Sequence, residues 1–181
     1  MGSRPKTTDL AYIAGFLDGD GSLMLQIKKR QDGNIGWRFM LTICFYQDSR
    51  HSGPLTWIRE QLGIGFLTKR NDGMTELRIN GYVQVRNILE SLLPFIRFKK
   101  IQAETMLKIA KTLASTKISE LTDLEKEALR EAILIVQKEN YQSRRKRSKQ
   151  EISKVLGLTS YRLTSKEGEP EVLAQMPIPN R

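Results

Sequence analysis

The chain has 181 residues, 39% hydrophobic and 28% charged, the balance of a globular domain that can bury a core without covalent staples. Thirty Lys and Arg against 20 Asp and Glu leave a net charge of +10, a surplus that points to a polyanionic partner, nucleic acid ahead of an acidic membrane. A single cysteine (Cys44) and a single histidine (His51) exclude an internal disulfide framework, a Cys-based zinc site and a His-centred nucleophilic triad. With no apolar run near the roughly 20 residues of a membrane span and no signal-peptide core, the expectation is an intracellular protein. It belongs in the cytoplasm or nucleoid of a prokaryote, or in an organelle matrix, and is not secreted.

Thr7 or Thr8 caps a first helix that runs through Asp9–Asp18 to a pair of glycines. Two strands follow, with Leu23, Leu25 and Ile27, then Phe39, Leu41, Ile43 and Phe45, alternating with polar positions around an Asp32-Gly33-Asn34 turn. Pro54 opens a second helix that stops at Gly63. A second hairpin spans 64–70 and 75–80 about Asn71-Asp72-Gly73. Helices then read over 83–93, 99–113 and 121–140, the last opening with a Thr122-x-x-Glu125 capping box. The order is α-β-β-α-β-β-α with further helices. Beyond it lie a basic run (Arg144, Arg145, Lys146, Arg147, Lys149), a short helix over 152–156 capped from Ser148, and a weakly patterned tail from Thr159. The basic run reads equally as a solvated linker and as a phosphate-contacting arm.

The first helix breaks two local rules. On a helical wheel Leu10, Ile13, Phe16 and Leu17 form a core stripe, while Ala11, Ala14, Gly15, Asp18 and Gly19 gather on another, small face. Gly15 in a helix interior costs about 1 kcal/mol relative to Ala, which makes sense where another backbone comes close. Asp18 and Asp20 stand at the negative end of the helix dipole, where carboxylates are disfavoured, beside glycines that bare the backbone. Carboxylates and open carbonyls together describe an oxygen site for a hard divalent cation of the Mg²⁺ type.

Ile13-Ala-Gly-Phe-Leu-Asp-Gly-Asp-Gly21, continued by Ser22, resembles the LAGLIDADG motif of the homing endonucleases, and the surrounding α-β-β-α-β-β-α order is similar to that family's core over about residues 7–115. The resemblance implies an α+β fold with a curved antiparallel sheet as a DNA saddle. It assigns 1–140 to the endonuclease domain and 141–181 to a segment packed on or extending it. One copy of the motif resembles the members that work as homodimers, with Ala11, Ala14, Gly15, Asp18 and Gly19 pairing across a two-fold axis. It implies that Asp20, assisted by the Gly19 carbonyl, binds metal, and that Gln47 orders water. Lys99, or its neighbour Lys100, steadies phosphate. Asp18 takes a structural or capping role.

The implied reaction is Mg²⁺-dependent hydrolysis of both strands across the minor groove of a long pseudo-palindromic site, leaving short 3′ overhangs. Mn²⁺ would substitute, and Ca²⁺ would support binding without cleavage. Readout would come from the outward phase of the hairpins: Gln26, Lys28, Arg30, Asn34, Arg38, Met40, Thr42, Cys44, Tyr46, Thr68, Arg70, Glu76, Arg78 and Asn80. Arg and Lys suit guanine, Gln and Asn adenine, and Glu cytosine. Arg144, Arg145, Lys146 and Arg147 would add phosphate contacts. A regulator or RNA maturase on the same scaffold is the rival reading, which loss of the motif acids would favour. An embedded intein nuclease needs flanking splicing segments that this chain lacks.

Overall fold

A computed structural model describes residues 5–29, 36–140 and 146–158. The expected turn at Asp32-Gly33-Asn34, the site residues Arg30, Asn34, Arg144 and Arg145, and the tail from Thr159 lie outside the described residues. Helix α1 (Thr7–Asp20) leads into β1 (Gly21–Lys29) and β2 (Trp37–Asp48), then α2 (Gly53–Leu62), β3 (Phe66–Lys69) and β4 (Met74–Asn80). Helices α3 (Tyr82–Leu92), α4 (Lys100–Ser115), α5 (Asp123–Glu139) and α6 (Lys149–Leu156) complete the chain. The α-β-β-α-β-β-α order of the sequence reading therefore stands.

The strands form one antiparallel sheet in the order β1-β2-β4-β3. Its register sets Leu23 opposite Ile43 and Ile43 opposite Ile79. Because side chains alternate between faces, this places Leu23, Leu25, Phe39, Leu41, Ile43, Phe45, Leu77 and Ile79 on one apolar face, buried with Ile13, Leu17 and the inner residues of α3 and α4. Among the described residues, the buried helix side chains gather on that apolar face and the opposite phase is left open. Ile152 and Leu156 of α6 join the same core beside Leu129, Ile133 and Val136 of α5, so α6 packs on the main unit. Asn140 ties the end of α5 back to the sheet, its Nδ2 donating to the Leu23 carbonyl at 2.8 Å.

Local chemistry explains most boundaries. Thr122 and Glu125 bond reciprocally at the start of α5, and Ser148 and Glu151 do the same for α6, each box satisfying amides that a helix start leaves open. The end of α1 departs from expectation: the helix begins after Lys6 and continues through Gly19 and Asp20 rather than stopping at Asp18. Tertiary bonds to Asp18, described below, hold the last turn that the glycines weaken. Gly21 is required at the junction, since a Cβ there would lie 2.6 Å from the Leu17 carbonyl oxygen.

Candidate active site and nucleic-acid interface

Asp18 and Asp20 leave α1 in different directions. Asp18 is 8% exposed and its carboxylate accepts three backbone N–H groups, from Arg97 at 2.6 Å, Phe98 at 3.1 Å and Lys99 at 3.0 Å. Those amides lie just ahead of α4, so the acid that offends the dipole of α1 caps the positive end of another helix. Asp20 is exposed and carries no hydrogen bond or ion pair among the described residues. Lys99 joins the two: its Nζ donates to the Asp18 carbonyl oxygen. Burial pulls the Lys99 pKa down, against the opposing pull of Asp18 and Asp20. Lys100 instead points away, exposed and 3.9 Å from Glu104. Lys99 is therefore the lysine at the acid end.

The register sets Gly21 opposite Phe45, so Tyr46 and Gln47 continue β2 past the start of β1, the point where α1 ends. Gln47 Oε1 accepts the Asp48 N–H at 2.8 Å, which fixes the amide and leaves its Nε2 to donate. Arg50 grips Asp48 through Nε at 3.0 Å and Nη2 at 2.8 Å, and this holds the Asp48 carboxyl well below the usual carboxylate range. Among the described residues no three His, Cys, Asp or Glu side chains come together as a metal cage. With Asp18 spent on amides, one chain offers Asp20 and the neighbouring backbone carbonyls. That donor set is all oxygen and fits a hard divalent cation, with the remaining ligands supplied from outside the chain.

The LAGLIDADG endonuclease profile matches residues 13–110, more than half of the chain. This chain belongs to the LAGLIDADG endonuclease family. It is 36% identical over 107 residues to the DNA endonuclease I-CvuI of Chlorella vulgaris, a match covering 59% of this chain and 66% of that protein. It is 33% identical over 110 residues to the DNA endonuclease I-CreI of Chlamydomonas reinhardtii, covering 61% and 67%. The fold is similar to I-CvuI in complex with its target in the presence of 2 mM Ca, with a TM-score of 0.70 at 30% identity over 83% of this chain and 96% of that one. I-CvuI has also been solved on the I-CreI target in the presence of 2 mM Mg, with the DNA not cleaved. The α+β LAGLIDADG fold of the sequence reading is thus the fold of this chain.

In this chain the bare face of α1 is Ala11, Tyr12, Gly15 and Gly19. Two residues expected there are not: Ala14 is fully buried in the chain's own core, and Asp18 is the buried cap. Both lie only about 40° and 80° round the helix from Leu10, inside the stripe that Ile13 and Leu17 extend. Tyr12, about 200° round and 54% exposed, belongs to the bare face and was missed because it is not small. A Cβ built on Gly15 or Gly19 meets nothing within 4 Å, so the fold of one chain does not require either glycine. Phe98, 87% exposed, lies just ahead of α4 with its N–H on Asp18.

The uncovered sheet face carries most of the predicted readers. Lys28, Arg38, Thr68 and Arg70 are exposed, and Gln26, Met40, Tyr46, Arg78 and Asn80 are partly so. Lys28 and Arg38 are directly opposed in register, a like-charge pair that costs energy in the free sheet and suits an anionic ligand. Three expected readers are corrected. Thr42 and Cys44 are 0% exposed, because β2 is an inner strand with neighbours on both sides: Met24 and Asn80 flank Thr42, and Ser22 and Arg78 flank Cys44. Thr42 donates to Asn80 Oδ1 at 2.8 Å, and burial pushes the Cys44 thiol up to about 11. Glu76 is buried too, held by Arg78 at 2.5 Å and by Arg70 at 3.9 Å. Phe66, opposite Arg78 and 73% exposed, lies in the same phase as Thr68 and could have been found by counting back two residues.

Of the basic run, Lys146 is exposed. Arg147 is docked: its guanidinium lies 5.2 Å from the Trp37 ring centroid, with Lys29 Nζ 5.9 Å from the same ring. Its N–H donates to Gln137 Oε1 at 2.7 Å. Arg147 is thereby anchored on Trp37 at the start of β2. No helix among the described residues is long and apolar enough to cross a membrane.

Proposed function

We propose that this LAGLIDADG endonuclease is a site-specific homing endonuclease. It binds a long pseudo-palindromic duplex as a homodimer and hydrolyses both strands across the minor groove with divalent metal, leaving short 3′ overhangs. The observation that carries the reading is the contrast between the two acids: Asp18 is satisfied by three amides, while Asp20 is exposed and unpaired at the foot of a helix face bare enough to meet its own copy. Two motif helices packed on Ala11, Gly15 and Gly19 bring the two Asp20 carboxylates together, a juxtaposition that repels unless cations lie between them. Tyr12 and Phe98 extend the contact on either side.

Asp20, with the Gly19 carbonyl, would hold Mg²⁺, with Mn²⁺ as a substitute and Ca²⁺ supporting binding alone. When bound, the cation lowers the pKa of water and stabilises the leaving 3′ oxygen. Gln47 presents its free Nε2 beside the acid end and orders the attacking water, its other amide atom being fixed on Asp48. Lys99, tethered to the Asp18 carbonyl, keeps its positive head at the acid end, where it meets the scissile phosphate. The sheet face supplies Gln26, Lys28, Arg38, Met40, Tyr46, Thr68, Arg70, Arg78 and Asn80 to the major groove, with Phe66 suited to a thymine methyl. Lys146 and the docked Arg147 reach the phosphates at the outer rim. Cleavage of a duplex library in Mg²⁺ that disappears with Asp20→Asn, while selective binding in Ca²⁺ survives, supports this reading. Selective binding without cleavage by the unaltered protein moves it to a regulator or maturase.

A further inference from the structure

Resting on the DNA-binding reading of the sheet face, we propose that Arg78 reads a guanine in each half-site, and that Glu76 is the positioning residue that aims it. Four charged groups meet on β4 and the turn before it. Arg70 Nη2 donates to Asp72 at 2.7 Å and its Nη1 lies 3.9 Å from Glu76 Oε2. Glu76 Oε1 in turn accepts Arg78 Nε at 2.5 Å. Two guanidiniums against two carboxylates cancel, so the cluster adds little to a general attraction for phosphate. The Glu76–Arg78 pair also sits inside the sheet, since Arg78 is paired with Cys44 on one side and Phe66 on the other.

The hydrogen-bond count within the cluster fixes its direction. Arg78 spends Nε on the acid, and among the described residues its two Nη groups have no partner. A guanidinium is planar, so anchoring Nε leaves the Nη fork as the free edge, and that fork matches the N7 and O6 acceptors of guanine. Glu76 cannot itself take a cytosine amine: it is buried, Oε1 is occupied and Oε2 faces Arg70. The acid expected to read a base instead orients the residue that does.

Selection of bound duplexes from a randomised library in Ca²⁺ tests this without needing cleavage. The unaltered protein should enrich guanine at one position of each half-site. Arg78→Ala should flatten that position by about 10-fold or more and leave the others unchanged. Arg78→Lys, which keeps the charge but not the fork, should recover binding without the full guanine preference. Glu76→Gln should broaden the same position with an unchanged salt slope. If Arg78→Ala instead weakens all sequences alike and shallows the salt slope, Arg78 is a phosphate contact and the proposal fails. If Glu76→Gln leaves the guanine preference intact, the positioning role fails. Absence of any sequence enrichment by the unaltered protein would overturn the DNA-binding reading itself, a separate outcome.

Discussion

Two aspartates two residues apart, Asp18 and Asp20, divide structure from chemistry. Replacing Asp18 by Asn puts an amide donor against three N–H groups, and should cost about 2–3 kcal/mol of stability, read by urea denaturation. Asp20→Asn touches no partner, so stability should stay within about 0.5 kcal/mol while cleavage falls to background. A matching stability loss at both positions would contradict the division. The sequence showed that both acids offend the helix dipole, but it could not show the amides of Arg97, Phe98 and Lys99, which arrive from 79 to 81 positions away. Cys44 makes the same point about burial. Strand phase puts it on the outward face, yet flanking side chains cover it, a fact of the neighbouring strands rather than of β2. With its pKa raised to about 11, the thiol stays protonated through pH 9. Alkylation should therefore be negligible in the native protein and complete in denaturant. Rapid native labelling at pH 8 would contradict the packing of that face.

At the scale of an element, α1 is a helix whose inner stripe packs in the core and whose outer stripe is bare, the surface proposed to meet a second copy. Gly15 meets nothing in its own fold, so Gly15→Leu should leave the monomer folded and even favour the helix by up to about 1 kcal/mol. The same change should abolish dimer formation in analytical ultracentrifugation. A variant that remains a dimer would remove α1 from the interface. Gly21→Ala should do the opposite, lowering stability through the clash with the Leu17 carbonyl while leaving the outer stripe untouched. Elements with local instructions were legible: the capping boxes at Thr122 and Ser148, the Gly63 stop and the alternation of β1 and β2 all stand. The end of α1 was not, because long-range bonds to Asp18 override the glycines. The outer stripe was half legible, since small size pointed to Ala14, which is core, and away from Tyr12, which is not.

For the whole molecule, the net charge of +10 includes cations on the proposed recognition face and at its rim. Lys28 and Arg38 face each other across β1 and β2, and Arg147 is anchored on Trp37 at the same end. Raising salt from about 50 to 200 mM should weaken DNA binding by about 10³-fold. Lys146→Gln should lower affinity for every sequence alike, while the base preferences stay fixed. The central claim, that two copies of one motif helix build one metal-dependent cutting centre, is tested most directly by cleavage of a randomised duplex library in Mg²⁺, with Asp20→Asn alongside. Cut ends at pseudo-palindromic sites with short 3′ overhangs are expected from the unaltered protein alone. Cutting at sites without two-fold symmetry, or undiminished cutting by Asp20→Asn, would contradict it.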